Sequence, residues 1–179
     1  MSVNIIFATD NKGAIAYQGD LPWKDDPDTK WDMQHFRKTT LNHPVIMGYV
    51  TMKTLGRPLK NRINIVISLY PINEEGFIDF KDAGEYNDRY FYVVSSLEEA
   101  LEIQRFDEEV YIIGGAYTYL EAINKDLVDK AIITFFNKEY PADIFFPLEL
   151  LKEKYEVKKE DIYPLGKIVT YQKIKEKAE

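Results

Sequence analysis

No cysteine occurs in the 179 residues, so disulfides and thiolate chemistry are excluded. Histidine is nearly as scarce. His35 and His43 have no partner at metal-ligand spacing, and no Ser-His-Asp arrangement can be drawn around them. Both read as surface or packing residues, and metal and hydrolase chemistry are set aside. No apolar run approaches the ~20 residues that a membrane span requires. The opening MSVNIIFATDNKG has neither the basic leader nor the apolar core of a signal peptide. The expectation is a cytoplasmic protein with no membrane partner. The common nucleotide fingerprints, G-x-G-x-x-G and the P-loop, are missing as well.

The more informative absence is local. Residues 33–73 contain no Asp or Glu, yet Arg37, Lys38, Lys53, Arg57, Lys60 and Arg62 all fall there. The whole chain carries a formal net charge of −7, which argues against general nucleic-acid binding. A local positive field on an acidic protein suits a small anionic ligand. A chance cluster of solvated side chains fits the same charges.

The pattern along the chain is strands alternating with helices. Residues 3–8 form a short apolar run, followed by the turn-rich loop DNKGAIAYQGDLPW. Pro27 opens a helix that NHP ends, and a strand at 44–48 leads into a helix at 49–56, stopped by Gly56 and Pro58. INIVIS and RYFYVV read as strands, SSLEEALEIQ as a serine-capped helix, and EVYIIGG–AYTYLEAI again as strand into helix. KAIITFFN is a further strand, and 155–174 reads as two strands around YPLG. This alternation predicts one α/β domain with a largely parallel sheet. The length agrees, being near the prior of about 150 residues for one domain.

Two strand-Gly-helix junctions, VIMGYVT and YIIGGAYTY, carry chemistry if they face a ligand. Helix N-termini beyond the carboxyl ends of strands offer free N–H groups to phosphate, and glycine lets the backbone approach it. A purely structural turn uses the same glycines. Asp32 also has two readings. In TKWD, Thr29 is an N-cap and Asp32 the carboxylate folding back to its amide. Alternatively, Asp32 shares a helix face with Phe36, above Thr39 and Thr40, where partial desolvation would raise its pKa. Spacing by itself leans to the cap.

The segments AIAYQGDLPW, DMQHFRKTT, PVIMGYVTMKTLGRPLKNRINIVIS and VYIIGGAYTYLEAI, in that order and spacing, resemble dihydrofolate reductase. DIFFP and the closing strand pair also fit. The resemblance covers most of residues 3–147. It implies a three-layer fold with a central, mixed but mostly parallel β-sheet flanked by helices, and reduction of dihydrofolate to tetrahydrofolate by NADPH. Dihydrofolate and antifolate-type small molecules are then the expected partners, and the protein is expected to act as a monomer in one-carbon metabolism.

In that family Asp32 is the active-site acid holding the amidine-like edge of the pterin, which reverses the capping preference. Trp23 helps to position a water that carries the proton. Leu21, Phe36 and Leu59 wall the pterin and aminobenzoyl groups, with Ile6, Ile113 and Thr134 also at the substrate. Arg62 binds the glutamate tail, where its planar fork meets a carboxylate bidentately. Ala8 and Ile15 meet the nicotinamide carboxamide through their backbones. Gly48, Val50 and Thr51 fall at the pyrophosphate, and Gly114 and Gly115 form a Gly-Gly pair with a cis peptide near the cofactor. Ala116, Tyr117 and Thr118 follow that pair, and Ser68 lies at the facing strand end.

Three positions depart from the family pattern. Ala16 stands where glycine is common in the mobile loop over the nicotinamide. Tyr49 and Leu69 replace the basic or polar residues that meet the cofactor's 2′-phosphate, which leaves NADH open as an alternative reductant. Two rival readings remain: a related pteridine or riboflavin-pathway reductase, and a catalytically silent nucleotide-binding module. The first has no use for Arg62 or for an acid at Asp32, and the second needs no pterin anchor.

Overall fold

The computed structural model describes residues 1–103 and 107–175. In chain order the elements begin with β1 (Ser2–Thr9), β2 (Ala14–Ala16), α1 (Lys30–Thr40), β3 (Pro44–Gly48), α2 (Tyr49–Leu55) and β4 (Ile63–Ile67). Then come β5 (Phe77–Asp79), β6 (Phe91–Val94), α3 (Leu97–Ile103), β7 (Glu109–Gly114), α4 (Ala116–Asn124) and β8 (Lys130–Phe136). The chain closes with β9 (Ile144–Phe145), α5 (Glu149–Lys154), β10 (Tyr155–Tyr163) and β11 (Gly166–Lys173).

Nine strands form one sheet in the order β10-β11-β8-β1-β7-β3-β4-β6-β5. Neighbours from β8 through β5 are parallel, while β11 runs antiparallel to both β8 and β10. The central strands read as unbroken apolar runs because both of their faces are covered. Side-chain alternation assigns the faces. Val3, Ile5, Phe7, Ile46, Ile65 and Ile112 join one core with Leu97 and Ala100 of α3, Ala122 and Ile123 of α4 and Leu151 of α5. Ile6, Val45, Met47, Val66 and Tyr111 point the other way and meet Met52 of α2 and Phe36 of α1. The result is the expected three layers.

Local chemistry explains several boundaries. Asp26 accepts from the Asp28 amide at 3.0 Å and caps a short 3-10 turn, Pro27–Thr29, that feeds α1. Ser96 Oγ accepts from the Glu99 amide at 3.0 Å, while the Glu99 carboxylate accepts from the Ser95 amide at 2.8 Å. That pairing confirms the predicted serine cap of α3. Gln104, the last residue of the predicted helix, lies outside the described residues. No helix among the described residues is long and apolar enough to cross a membrane.

Four elements escaped the sequence reading: β2, β5, β9 and α5. Each is short, between two and six residues, with too little periodicity to stand out. The loop after β1 thus carries a short two-stranded ribbon. Ala14 and Ala16 pair with Phe145 and Ile144, Phe146 donates its amide to Gly13 O at 2.7 Å, and Asp143 Oδ2 accepts from the Gln18 amide at 2.9 Å. The fully buried Asp10 anchors both sides, its carboxylate accepting from the amides of Lys12, Ala14 and Tyr140.

Gly13 and Gly19 both sit at positive φ in this loop, but only Gly13 is crowded, since an added Cβ would lie 2.3 Å from Phe146 O. Gly19→Ala is expected to cost about 1–2 kcal/mol for the left-handed backbone alone. Gly13→Ala adds overpacking and is expected to cost about 2–5 kcal/mol. Urea midpoints of the two variants check this; equal losses would show that the ribbon yields to the extra methyl.

Candidate active site

Because the central strands are parallel, β8, β1, β7, β3 and β4 deliver their carboxyl ends to one edge of the sheet, the edge at which open α/β sheets bind ligands. Ala8 and Thr134 are register partners there, as are Met47 with Gly114 and Gly48 with Ile67.

Asp32 lies on the first turn of α1, over this edge. Thr29 makes no side-chain cap bond, and its amide donates instead to Asp26 O at 3.2 Å. The capping-box reading is thereby overturned, because the preceding 3-10 turn already satisfies the helix start. The Asp32 carboxylate instead accepts a 2.6 Å hydrogen bond from Thr134 Oγ1, across 102 residues of sequence. Burial lifts its pKa to about 6, and the Thr134 bond only partly offsets that. Ile6, Phe36, Leu59 and Ile113 all belong to the apolar cluster on this face of the sheet. Four of the predicted apolar contacts thus converge. Leu21 does not join them: it is half-exposed on its loop and belongs to neither core cluster.

Trp23 is buried, with its ring against Phe136 at 5.0 Å and Tyr140 at 5.7 Å. Phe136 also meets Trp31 edge-on at 5.9 Å, so one ring couples the Trp23 loop to α1.

Arg62 is 7% exposed, an unusual burial for a cation. Its Nε donates to Lys60 O at 2.9 Å and its Nη1 to Thr40 Oγ1 at 3.1 Å. Among the described residues no carboxylate pairs with it, and burial, with nearby Arg37, lowers its pKa. Part of the guanidinium fork remains for an anion. Asn64, which the sequence reading passed over, positions this loop: its side chain accepts from the Leu59 amide at 2.8 Å and donates to Leu59 O at 2.9 Å and Arg62 O at 3.1 Å. The legible signal was an asparagine inside the apolar strand INIVIS, since a buried amide must find partners.

The two glycine junctions stand side by side and interlock. A Cβ on Gly114 would meet Thr51 Oγ1 at 2.7 Å, and a Cβ on Gly48 would meet Thr118 Oγ1 at 3.0 Å. Each helix therefore leans a threonine hydroxyl on the other's glycine. The peptide between Gly114 and Gly115 is cis, as expected. Gly48 and Gly115 have no side chain with which to cap α2 and α4, so the first amides of these helices take no cap bond from them. Tyr119, also missed, donates its hydroxyl to Ile6 O at 3.0 Å beside this cradle. Burial, with the Asp32 charge adding to it, holds that phenol protonated. Around the cradle Tyr49, Val50, Leu69 and Tyr117 stay exposed, and Ser68 spends its hydroxyl on Tyr70 O at 2.7 Å. Ala8 and Ile15 are partly buried beside it, on β1 and β2.

A family model described as dihydrofolate reductase matches residues 2–173. The chain is 34% identical over 145 residues to dihydrofolate reductase from Bacillus subtilis (strain 168), covering 81% of this chain and 75% of the relative. It is 33% identical over 157 residues to dihydrofolate reductase from Haemophilus influenzae, covering 88% and 85%. Its fold matches that of dihydrofolate reductase from Enterococcus faecalis complexed with NADP(H) and RAB-propyl, with a TM-score of 0.75, 24% identity and 96% of each chain covered. With the match running across nearly the whole sheet and both glycine junctions, this chain belongs to the dihydrofolate reductase family.

Proposed function

We propose that Asp32 is the acid with which this chain reduces 7,8-dihydrofolate to 5,6,7,8-tetrahydrofolate at the expense of NADPH. The observation that carries the reading is a largely buried carboxylate at the start of α1 that accepts from Thr134 Oγ1 on β8, burial pushing its pKa up to about 6. When bound, the reduced nicotinamide supplies the hydride. The glycine cradle fits such a group, because α2 and α4 begin at Gly48 and Gly115 with no side-chain cap on their first amides, which are free to donate to phosphate. Gly48, Val50 and Thr51, with Gly114 to Thr118, would hold its phosphates, and Ala8 and Ile15 its carboxamide. Tyr49, Ser68 and Leu69 would face its adenosine end.

The roles of this chain's residues follow. The Asp32 oxygens receive two parallel N–H donors of the pterin edge and fix its orientation. A hydride reaching the pterin carbon needs a proton at the neighbouring nitrogen, and an acid poised near 6 keeps that proton available at physiological pH. Trp23 shapes the wall through which a carrier water passes. Arg62 takes the glutamate carboxylate, and a buried guanidinium with no carboxylate partner among the described residues favours a folate over a ring-only pteridine or flavin precursor.

The same reading carries a single reductase domain, supported by one sheet whose strands run from residue 2 to residue 173. The net charge of −7 supports a small-molecule partner over nucleic acid or membrane.

Asp32→Asn is expected to lower turnover by about 10²–10⁴, the worth of an acid–base contribution. It should also stabilise the protein. The pKa of Asp32 rises from 3.8 to about 6 on folding, so ionising it is costlier in the folded state. That cost is absent below pH 3.8, grows towards pH 6 and persists above it, reaching up to about 3 kcal/mol. Melting curves should show the variant gaining stability at pH 7 and nothing at pH 3.5. The inflection near pH 6 in wild-type kcat/KM, with the rate falling on the alkaline side, should vanish. Near-normal turnover in the folded variant would assign the acid elsewhere.

Arg62→Leu should weaken dihydrofolate binding by about 1.5–3 kcal/mol, as for hydrogen bonds to a charged group. Titration with a pterin lacking the glutamate should show little change; equal losses for both ligands would mean that Arg62 serves the loop rather than the tail.

A further inference from the structure

The register pairs Gly48 with Ile67, so the chain leaves the sheet at neighbouring points into Tyr49, at the start of α2, and into Ser68, Leu69 and Tyr70, just after β4. Leu69 and Tyr70 are 83% and 78% exposed, and Tyr117 at the start of α4 is 84% exposed. These groups give the adenosine end of the cradle apolar and aromatic surface. Rings stack on a purine, but a phosphate requires charge or several donors. On residues 49–55, 68–70 and 116–119, the sole charged side chain is Lys53.

Lys53 is exposed and stands one helical turn beyond Tyr49, with its Nζ 5.3 Å from the centroid of the Tyr49 ring. Tyr49 and Glu74 hold the ammonium charged, raising its pKa. The ring contact also narrows where that long side chain can point.

We propose that Lys53, standing against the Tyr49 ring, is the residue by which this enzyme distinguishes a dinucleotide bearing a 2′-phosphate from one without it. The inference rests on the reductase reading and on its placement of the cofactor along Gly48, Thr51 and Thr118. A 2′-phosphate brings close to two negative charges and strong acceptor oxygens. Lys53 answers it as a point charge with three donors rather than as a planar fork. Recognition of this kind depends on charge more than on geometry, and an exposed ammonium is screened by salt. Tyr49 meanwhile supplies a ring face for the adenine, which both dinucleotides share. Glu74 partly offsets the lysine, so the discrimination should be modest.

The test is equilibrium binding of NADPH and of NADH to the protein without folate, followed by quenching of tryptophan fluorescence across a salt series. Lys53→Gln is expected to weaken NADPH binding about five- to tenfold, the scale of one exposed charge contact to a doubly charged group. NADH binding should stay within about twofold, because no charge contact to that ligand is lost. The wild-type advantage of NADPH should fall as salt rises, be nearly absent in Lys53→Gln at any salt and be retained in Lys53→Arg. Equal weakening of both dinucleotides, or an unchanged NADPH affinity, would overturn the assignment. If both dinucleotides bind and dihydrofolate is reduced while Lys53→Gln leaves their ratio untouched, the inference about Lys53 alone is wrong. If neither binds to wild type, the reductase reading fails and takes this inference with it.

Discussion

Both faces of the central strands are buried, and from that requirement the helices take their places. Alternating side chains on β1, β3, β4 and β7 feed two separate cores, so α3, α4 and α5 cover one face while α1 and α2 cover the other. Parallel strands need crossover connections, which bring every central strand back to begin at the same side and end at the same edge. Asp32, Thr134, Gly48 and Gly114 meet at that edge although they are scattered over 102 residues. The site follows from the way the sheet is covered.

Within this frame the protein keeps two ionisable groups where folding alone would not put them. Asp32 is largely buried with one side-chain hydrogen bond, and Arg62 is buried with no carboxylate partner among the described residues. Each burial disfavours the charged form and costs stability. Their chemistry is opposite: a carboxylate can accept N–H donors, and a guanidinium can donate to a carboxylate. A ligand with a cationic-edged ring at one end and an acid at the other satisfies both. Thr40 ties the pair together mechanically, since it accepts from Arg62 while donating to the Phe36 carbonyl in the helix that carries Asp32.

The strand ends are finished by small, directed contacts. Asn64 clamps the loop bearing Leu59 and Arg62, Asp10 clamps the loop between β1 and β2, and the two threonines lock the glycine junctions against each other. The Asn64 and Asp10 clamps bury polar atoms with their partners supplied, which removes the penalty of leaving them unmet.

Much of this was legible in the residues themselves. Long apolar runs marked the central strands, serine marked the cap of α3, and glycine before each of α2 and α4 marked a close approach. These signals act over a few residues, so sequence carries them directly. Asp32 shows where that ends. Spacing left it between a capping box and a desolvated acid, leaning to the cap, and the fold decided by setting Thr134 against it and largely burying it. The short elements β2, β5, β9 and α5 were invisible for the same reason, being stabilised by distant partners rather than by their own periodicity. The burial of Arg62 and the placing of Lys53 against Tyr49 were likewise decided in three dimensions. Residue type and spacing determine which chemistry a chain can offer; desolvation and long-range partnership, which exist only once the sheet has closed, determine which of it is used.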